Sequence, residues 1–325
     1  MKSISILTPT WNRAKFLTKL FQSLQDQTFK DFEWVVGDDG SEDQTSNLIS
    51  DFSKKAKFDI SYISSSKRVG KSRIDNMLID NSRGKYLLWC DSDDYFFSDS
   101  IERLFKGLKL IPEETKSNYF GVIAQNVDTK GTNQTFNKQV QIKKPIDLTF
   151  HDYKKINKGD GTILIDRAVL KGRRFLEVDF IITESSLWDG VFSTKRLILL
   201  PNIVKTMDRT ADNSVSFGSK IQYSRGSVYS IAISESEENF KNKPFFHKIK
   251  ILVNYWRYCI HGQLKFSYVF SLWNVTKKNY LSIFLIPLSF FVVFRDIILG
   301  KVEKTHIEFI AAKKSAKFHV KKYWK

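Results

Sequence analysis

Over its first 94 residues the chain alternates short apolar runs with stretches of helical spacing, and the apolar runs end in polar clusters. Ile4-Ser5-Ile6-Leu7 leads into Thr8-Pro9-Thr10. In residues 13–24, Phe16, Leu17, Leu20, Phe21 and Leu24 recur at helical spacing. Phe32-Glu33-Trp34-Val35-Val36-Gly37 reads as a second strand and ends in Asp38-Asp39-Gly40-Ser41. A helix over 43–52, a strand over 59–63 and a helix over 70–81 precede the run Tyr86-Leu87-Leu88-Trp89-Cys90, which delivers Asp91-Ser92-Asp93-Asp94. Alternation of this kind predicts an α/β fold, a parallel sheet with helices on both faces. Ligands of such sheets bind beyond the carboxyl ends of the strands. Thr8 to Thr10, Asp38-Asp39 and the 91–94 cluster all fall at those ends.

Three carboxylates at the end of a buried strand are costly unless positive charge meets them. A hard divalent cation, which prefers oxygen ligands and is commonly shared with substrate phosphates, is one answer. A turn followed by a helix capped at Asp99 or Ser100 is the other. An EF-hand is excluded: Tyr95 stands where an oxygen ligand belongs and Phe96 where the loop requires Gly.

In order and spacing, the segments 5–13, 23–29, 32–41, 70–76 and 84–94 resemble family 2 glycosyltransferases of the GT-A fold. The resemblance covers about the first third of the chain. It implies a Rossmann-like, nucleotide-binding mixed sheet flanked by helices, and an inverting transfer from a nucleotide sugar, a UDP-sugar first among candidates. It also implies a divalent metal, Mn2+ or Mg2+. By that likeness Thr8 and Pro9 belong to the nucleotide-sugar site, and Asp38 and Asp39 lie near the nucleotide base. Arg73 lies near the nucleotide or its phosphates, Asp91 and Asp93 at the ribose and metal, and Asp94 joins the metal ligands. Further along, Phe180-Ile-Ile-Thr-Glu184 reads as a strand delivering a carboxylate before a helix. The likeness makes Glu184 the general base, with Asp189 as the alternative. The context Glu-Ser-Ser-Leu-Trp departs from the Glu-Asp pair common in such enzymes. A base is needed because an acceptor hydroxyl is a poor nucleophile at neutral pH.

Other chemistries fit less well. Val69-Gly70-Lys71-Ser72 ends like a Walker A loop, but Ser65 occupies the place of its first Gly. No Gly-x-Gly-x-x-Gly follows a strand, which excludes the dinucleotide fingerprint. Five unclustered His argue against zinc. A sugar-phosphate nucleotidyltransferase would carry a Gly-rich phosphate loop after its first strand, and Thr8 to Arg13 has no Gly. A catalytically inactive membrane- or nucleic-acid-binding protein on the same fold is the remaining alternative. Asp91, Asp93 and Glu184 weigh against it.

Between 111 and 235 the pattern is weaker. Strands are predicted at Phe120 to Ala124 and Thr162 to Ile165, and a polar loop or hairpin over 130–144. Charge then divides the chain. Of a net charge of +17, residues 241–325 contribute 15 Lys and 2 Arg against 3 acidic residues. This tail interleaves its cations with large apolar residues. An amphipathic helix is predicted from Phe245 to about Tyr258, followed by a 14-residue apolar run over 281–294 with Pro287 inside it. The run is shorter than the ~20 residues that a spanning helix needs. Interfacial insertion at an anionic, cytoplasmic membrane face is therefore expected, with a buried core helix as the alternative. No nucleic-acid module is visible. Two Cys and a first strand starting at the fourth residue lead to the expectation of a reducing compartment and no secretory signal.

These features divide the chain into 1–110, the nucleotide-sugar-binding half; 111–240, the acceptor-binding half; and 241–325, a basic helical membrane-associating extension. The expected partners are a nucleotide sugar, a glycan or lipid-linked acceptor in surface polysaccharide synthesis, and an anionic membrane. The expected location is peripheral or monotopic.

Overall fold

The computed structural model describes residues 2–136, 140–177, 184–208, 210, 220–234, 244–264, 269, 280–299 and 318–323. It divides into two compact units. The first comprises residues 1–175, 191–211 and 312–325, and the second 176–190 and 212–311.

The first unit is built on one ten-stranded sheet. Its elements follow in chain order as β1 (Ile4–Thr10), α1 (Ala14–Gln25), β2 (Phe32–Asp38), α2 (Thr45–Lys55), β3 (Asp59–Ser65), α3 (Lys71–Asn81), β4 (Tyr86–Trp89), β5 (Asp94–Phe96) and α4 (Ser100–Leu108). They continue as β6 (Tyr119–Asp128), β7 (Ile146–Thr149), α5 (Phe150–Ile156), β8 (Thr162–Asp166), α6 (Ser185–Phe192) and β9 (Arg196–Met207). Residues 185–190 of α6 belong to the second unit, and Phe192 is buried in the first, stacked on Phe120. The last strand is β10 (Phe318–Tyr323).

Strand order is β10-β3-β2-β1-β4-β8-β6-β9-β5, with β7 also on β9. The block β3-β2-β1-β4 is parallel, as the alternation predicts. All seven residues of β1 and of β2 are buried, so both faces of these strands are covered. Leu17, Leu20, Phe21 and Leu24 form the buried stripe of α1. Close packing of α3 requires Gly37 on β2, where an added Cβ would stand 2.5 Å from Ile74 Cγ2.

Beyond β4 the sheet is mixed. β8 runs antiparallel to β4 and β6, and β6 runs parallel to β9. An all-parallel sheet is therefore corrected to the mixed sheet that the family likeness implied. β5, β7, β9 and α5 had no distinct sequence signal. β9 carries Pro201 and Lys205 in an otherwise strand-like run, and β5 and β7 are only three and four residues long.

The second unit contains α7 (Lys220–Ser234), α8 (Phe245–His261) and α9 (Ile286–Ile298). A short 3-10 turn, Tyr280–Leu285, leads into α9. Pro287 interrupts nothing: it sits in the first turn of α9, where its missing N–H has no intrahelical partner to lose. The strand expected at 180–183 lies outside the described residues.

The tail is not helical throughout. β10, counted in sequence with the helical extension, pairs antiparallel to β3 from Phe318–Ser65 to Tyr323–Ile60. The physical reason is the open edge of β3, whose N–H and C=O groups need partners. Lys321 and Lys322 on the new edge disfavour further strand addition. Deleting residues 318–325 is expected to lower thermal stability by about 2–4 °C per kcal/mol lost and to raise aggregation through β3. Melting with light-scattering detection checks this, and an unchanged melt would mean that β10 contributes nothing.

Candidate active site

The site is assembled at the carboxyl ends of β1, β2 and β4. β1 ends at Thr10, one residue beyond Pro9, which has no N–H, and its ladder with β4 has already stopped at Leu7–Trp89. Thr8 points into the core and its Oγ1 accepts from Trp34 Nε1 at 2.9 Å, so it positions the strand. Thr10 Oγ1 is buried without a hydrogen-bond partner at the strand's last position.

Asp38 and Asp39 shape the loops around this rim. Asp38 Oδ1 accepts the Ser41 N–H at 2.8 Å, and its Oδ2 accepts from the Tyr62 hydroxyl. Asp39 accepts from the backbone N–H groups of Val69 and Gly70. Gly70 has φ +92°, a left-handed conformation that other residues resist, and it sets the start of α3. Burial pushes Asp39 up to about 6, although the Val69 and Gly70 amides and Arg68 oppose it. The Arg68 guanidinium lies over the Trp11 ring at 3.6 Å and 3.8 Å from Asp39. Arg73 is half-buried in the first turn of α3.

The acidic cluster is neutralised by the chain's own cations. Arg13 meets Asp93 at 2.7 Å and Lys205 meets Asp94 at 2.6 Å, with all four side chains nearly out of water. Lys71 lies 3.0 Å from buried Asp75, which also accepts from Trp89 Nε1, and 3.9 Å from Asp91. Asp91 is the open member, its side chain 49% exposed. Burial raises Asp91, but Lys71, Lys205 and Arg13 outweigh it and hold the carboxyl below its ordinary range. Burial raises Asp93 more than Arg13 lowers it, and pushes Asp94 up to about 6 against the pull of Lys205. The Lys205 amine is held above its usual range: burial works against its charge, and Asp94 and its neighbours reverse that.

This geometry bears directly on a metal. Among the described residues no three His, Cys, Asp or Glu side chains converge on one point. A closed protein cage is thus not formed, and Asp94, expected as a ligand, is committed to Lys205. Asp91 remains open, with Asp93 beside it in its pair with Arg13, and a hard cation that takes one or two carboxylates completes its shell with phosphates and water.

Glu184 and Asp189 belong to the second unit. Glu184 is exposed at the start of α6, its carbonyl accepting from Leu187 and Trp188, and Asp189 is half-buried along the helix. Sequence reading had assigned no role to Trp11, Arg13, Arg68, Lys71 or Lys205. Arg13 and Lys71 lay inside segments already singled out, whereas Lys205 sits in a strand far downstream and had no signal at all.

A parallel 3-2-1-4 block with carboxylates and cations at its carboxyl rim is the arrangement of an α/β protein whose ligands bind beyond the strand ends. The chain matches the model of glycosyl transferase family 2 over residues 5–171 and belongs to that family. Among curated relatives it is 24% identical over 196 residues to the GalNAc(5)-diNAcBac-PP-undecaprenol beta-1,3-glucosyltransferase of Campylobacter jejuni, covering 60% of this chain and 61% of that one. It is 30% identical over 142 residues to the poly(ribitol-phosphate) beta-N-acetylglucosaminyltransferase TarS of Staphylococcus aureus, covering 43% of this chain and 24% of TarS. The chain therefore spans under two thirds of these relatives. In fold it is similar to the solved TarS 1–349 in complex with UDP-GlcNAc, with TM-score 0.62, 15% identity and coverage of 98% and 99%. It is also similar to the mannosyltransferase PcManGT of Pyrobaculum calidifontis in complex with GDP-Man and Mn2+, with TM-score 0.51, 14% identity and coverage of 92% and 87%.

Two outcomes follow from the electrostatics. Lys205→Met strands Asp94 in the interior and is expected to cost about 3–5 kcal/mol. The double variant Asp94→Asn/Lys205→Met should recover much of that in chemical denaturation. Asp39 makes the second. Its folded pKa of about 6 exceeds the unfolded value of about 3.9, so the folded state holds the extra proton between them. Its contribution to stability is full below about pH 4 and is lost as pH rises to about 6. Asp39→Asn should flatten that part of the stability profile, as read by melting across pH 4 to 7.

Proposed function

We propose that the protein transfers a sugar, with inversion, from a nucleoside-diphosphate sugar to a hydroxyl of a glycan or lipid-linked acceptor, assisted by a divalent cation. The observation that carries this reading is the partly open Asp91 beside Asp93, Arg13 and Lys71 at the end of β4. A UDP-sugar is the first donor to test: TarS was solved with UDP-GlcNAc, and PcManGT with GDP-Man. The undecaprenol-linked acceptor in the name of the Campylobacter jejuni relative supports a lipid-linked acceptor in surface polysaccharide synthesis. That acceptor in turn supports work at the cytoplasmic face of a membrane. No helix of the described residues is long and apolar enough to cross one.

In this reading Trp11, backed by Arg68, flanks the nucleotide base. Asp38 and Asp39 hold the pocket's loops rather than touch the base, because their oxygens already accept from protein donors. Arg73 contacts the diphosphate. Asp91 and Asp93 hold the cation, Mn2+ or Mg2+. When bound it stabilises the charge developing on the leaving diphosphate. Glu184, or else Asp189, takes the proton of the attacking hydroxyl.

The test is transfer and donor hydrolysis across a nucleotide-sugar set, with Mn2+ and with chelator. Asp93→Asn is expected to remove metal stimulation while leaving the far-UV circular dichroism intact. Metal-stimulated turnover in that variant would overturn the ligand assignment. Glu184→Gln should keep donor affinity and lose about 10²–10⁴ in transfer rate. A loss under tenfold would move the base to Asp189.

A further inference from the structure

The second unit contains a helix whose polarity is reversed. α9 packs on α8 through Ser289, Val293 and Asp296, all buried. Ser289 Oγ donates to the Val253 carbonyl at 3.1 Å. Asp296 accepts from Arg257 Nε at 2.5 Å, lies 3.0 Å from His261 Nε2, and is also met by Arg295 at 3.3 Å. These inward positions fall on one side of a helix that turns about 100° per residue. The opposite side carries Phe290, Phe291, Phe294, Ile297 and Ile298, all exposed, and Phe284 in the preceding turn extends it. Phe284 is 79% and Phe291 73% exposed. A helix in water hides its apolar stripe and shows its polar one. Here the carboxylate is inside and the aromatics are outside.

A face this apolar on a single chain marks an interaction site. Charge selects its occupant. Between residues 280 and 299 the single carboxylate is Asp296, turned inward, and the single cation is Arg295, exposed. At the start of α8, Phe245 and Phe246 are exposed too, followed by Lys248 and Lys250. Lys250 on α8 and Arg295 on α9 are exposed, and neither helix carries an exposed carboxylate. A second copy meeting this face symmetrically would bring the same cations together. An anionic lipid surface meets both the aromatics and the cations. The length agrees: 13 residues make about 20 Å of helix, too short for the ~30 Å hydrocarbon core, so the helix lies in the interface plane.

We propose that the outward face of α9 is a docking surface for an anionic bilayer, with Phe284, Phe290, Phe291, Phe294, Ile297 and Ile298 entering its interfacial layer. This rests on the reading of a transferase working at a membrane and names the surface that holds it there. Asp296, clasped by Arg257 and His261, fixes the helix so that this face stays outward.

The test compares full-length protein with Phe290→Ser/Phe291→Ser/Phe294→Ser in vesicle flotation, using phosphatidylcholine with and without phosphatidylglycerol. Donor hydrolysis and solution mass are measured alongside. The wild type is expected to float with the anionic vesicles, and high salt to release only part of it. The triple variant should lose at least tenfold in bound fraction while hydrolysing donor at the wild-type rate. Equal flotation of the two proteins overturns the proposal while leaving a membrane-bound transferase intact. A wild-type dimer that becomes monomeric in the variant without any change in flotation overturns it in favour of a second copy. Flotation lost in the variant, with no donor hydrolysis in either protein, supports the docking surface and removes the transferase reading. If the triple variant fails to fold, Phe291→Glu decides by the same criteria.

Discussion

Lys205 and Asp94 meet at 2.6 Å with almost no water around either side chain. They lie far apart in sequence, Asp94 on the short strand after the acidic turn and Lys205 on the long strand β9. The β5–β9 ladder, which sets Phe96 against Lys205, brings them together. An isolated buried carboxylate would be intolerable, and the same is true of an isolated buried ammonium. Each makes the other's position possible. With Asp94 neutralised inside, Asp91 and Asp93 can be presented at the rim without a third like charge facing them from below. The mixed half of the sheet thus contributes to the site while lying outside the parallel block that bears most of it.

The parallel half was legible because its physics is local. Runs such as Phe32 to Asp38 are buried along their whole length and are mostly apolar, with Glu33 and the terminal Asp38 as exceptions. Leu17, Leu20, Phe21 and Leu24 announce one helix face directly. The mixed half was not legible for the opposite reason. β5 and β7 are too short to show a period, and β9 mixes Pro201, Asn202 and Lys205 into its run, residues whose fitness depends on partners far away in sequence. The site shows the same split. Asp38, Asp39, Asp91 and Asp93 stand at the predicted strand ends. What sequence could not show was that Asp38 and Asp39 spend their oxygens on Tyr62, Ser41, Val69 and Gly70. Nor could it show that Asp94 was already paired.

Pro287 and Asp296 carry a related lesson. Seen as sequence, one breaks an apolar run and the other follows it as an ordinary charge. In the structure Pro287 begins a helix, and Asp296 lies between α8 and α9 with Arg257 and His261. Burial raises that carboxyl, but hydrogen bonds from His261 and Arg257 reverse this and hold it below its ordinary range. A composition average over the tail registers basic and apolar residues. It cannot register that on α9 Ser289 and Asp296 point in while Phe290, Phe291 and Phe294 are exposed.

β10 closes the sheet against β3, so Ser65 pairs with Phe318 across most of the chain. Residues 212–311 are therefore an excursion between two pieces of one sheet. As the polypeptide emerges from the ribosome, β1 to β4 are available early, yet one flank of β3 stays unsatisfied until residues 318–323 arrive. The nascent sheet thus carries a sticky border through the synthesis of the whole second unit. Chaperone demand and the consequences of ribosome stalling should concentrate in that interval.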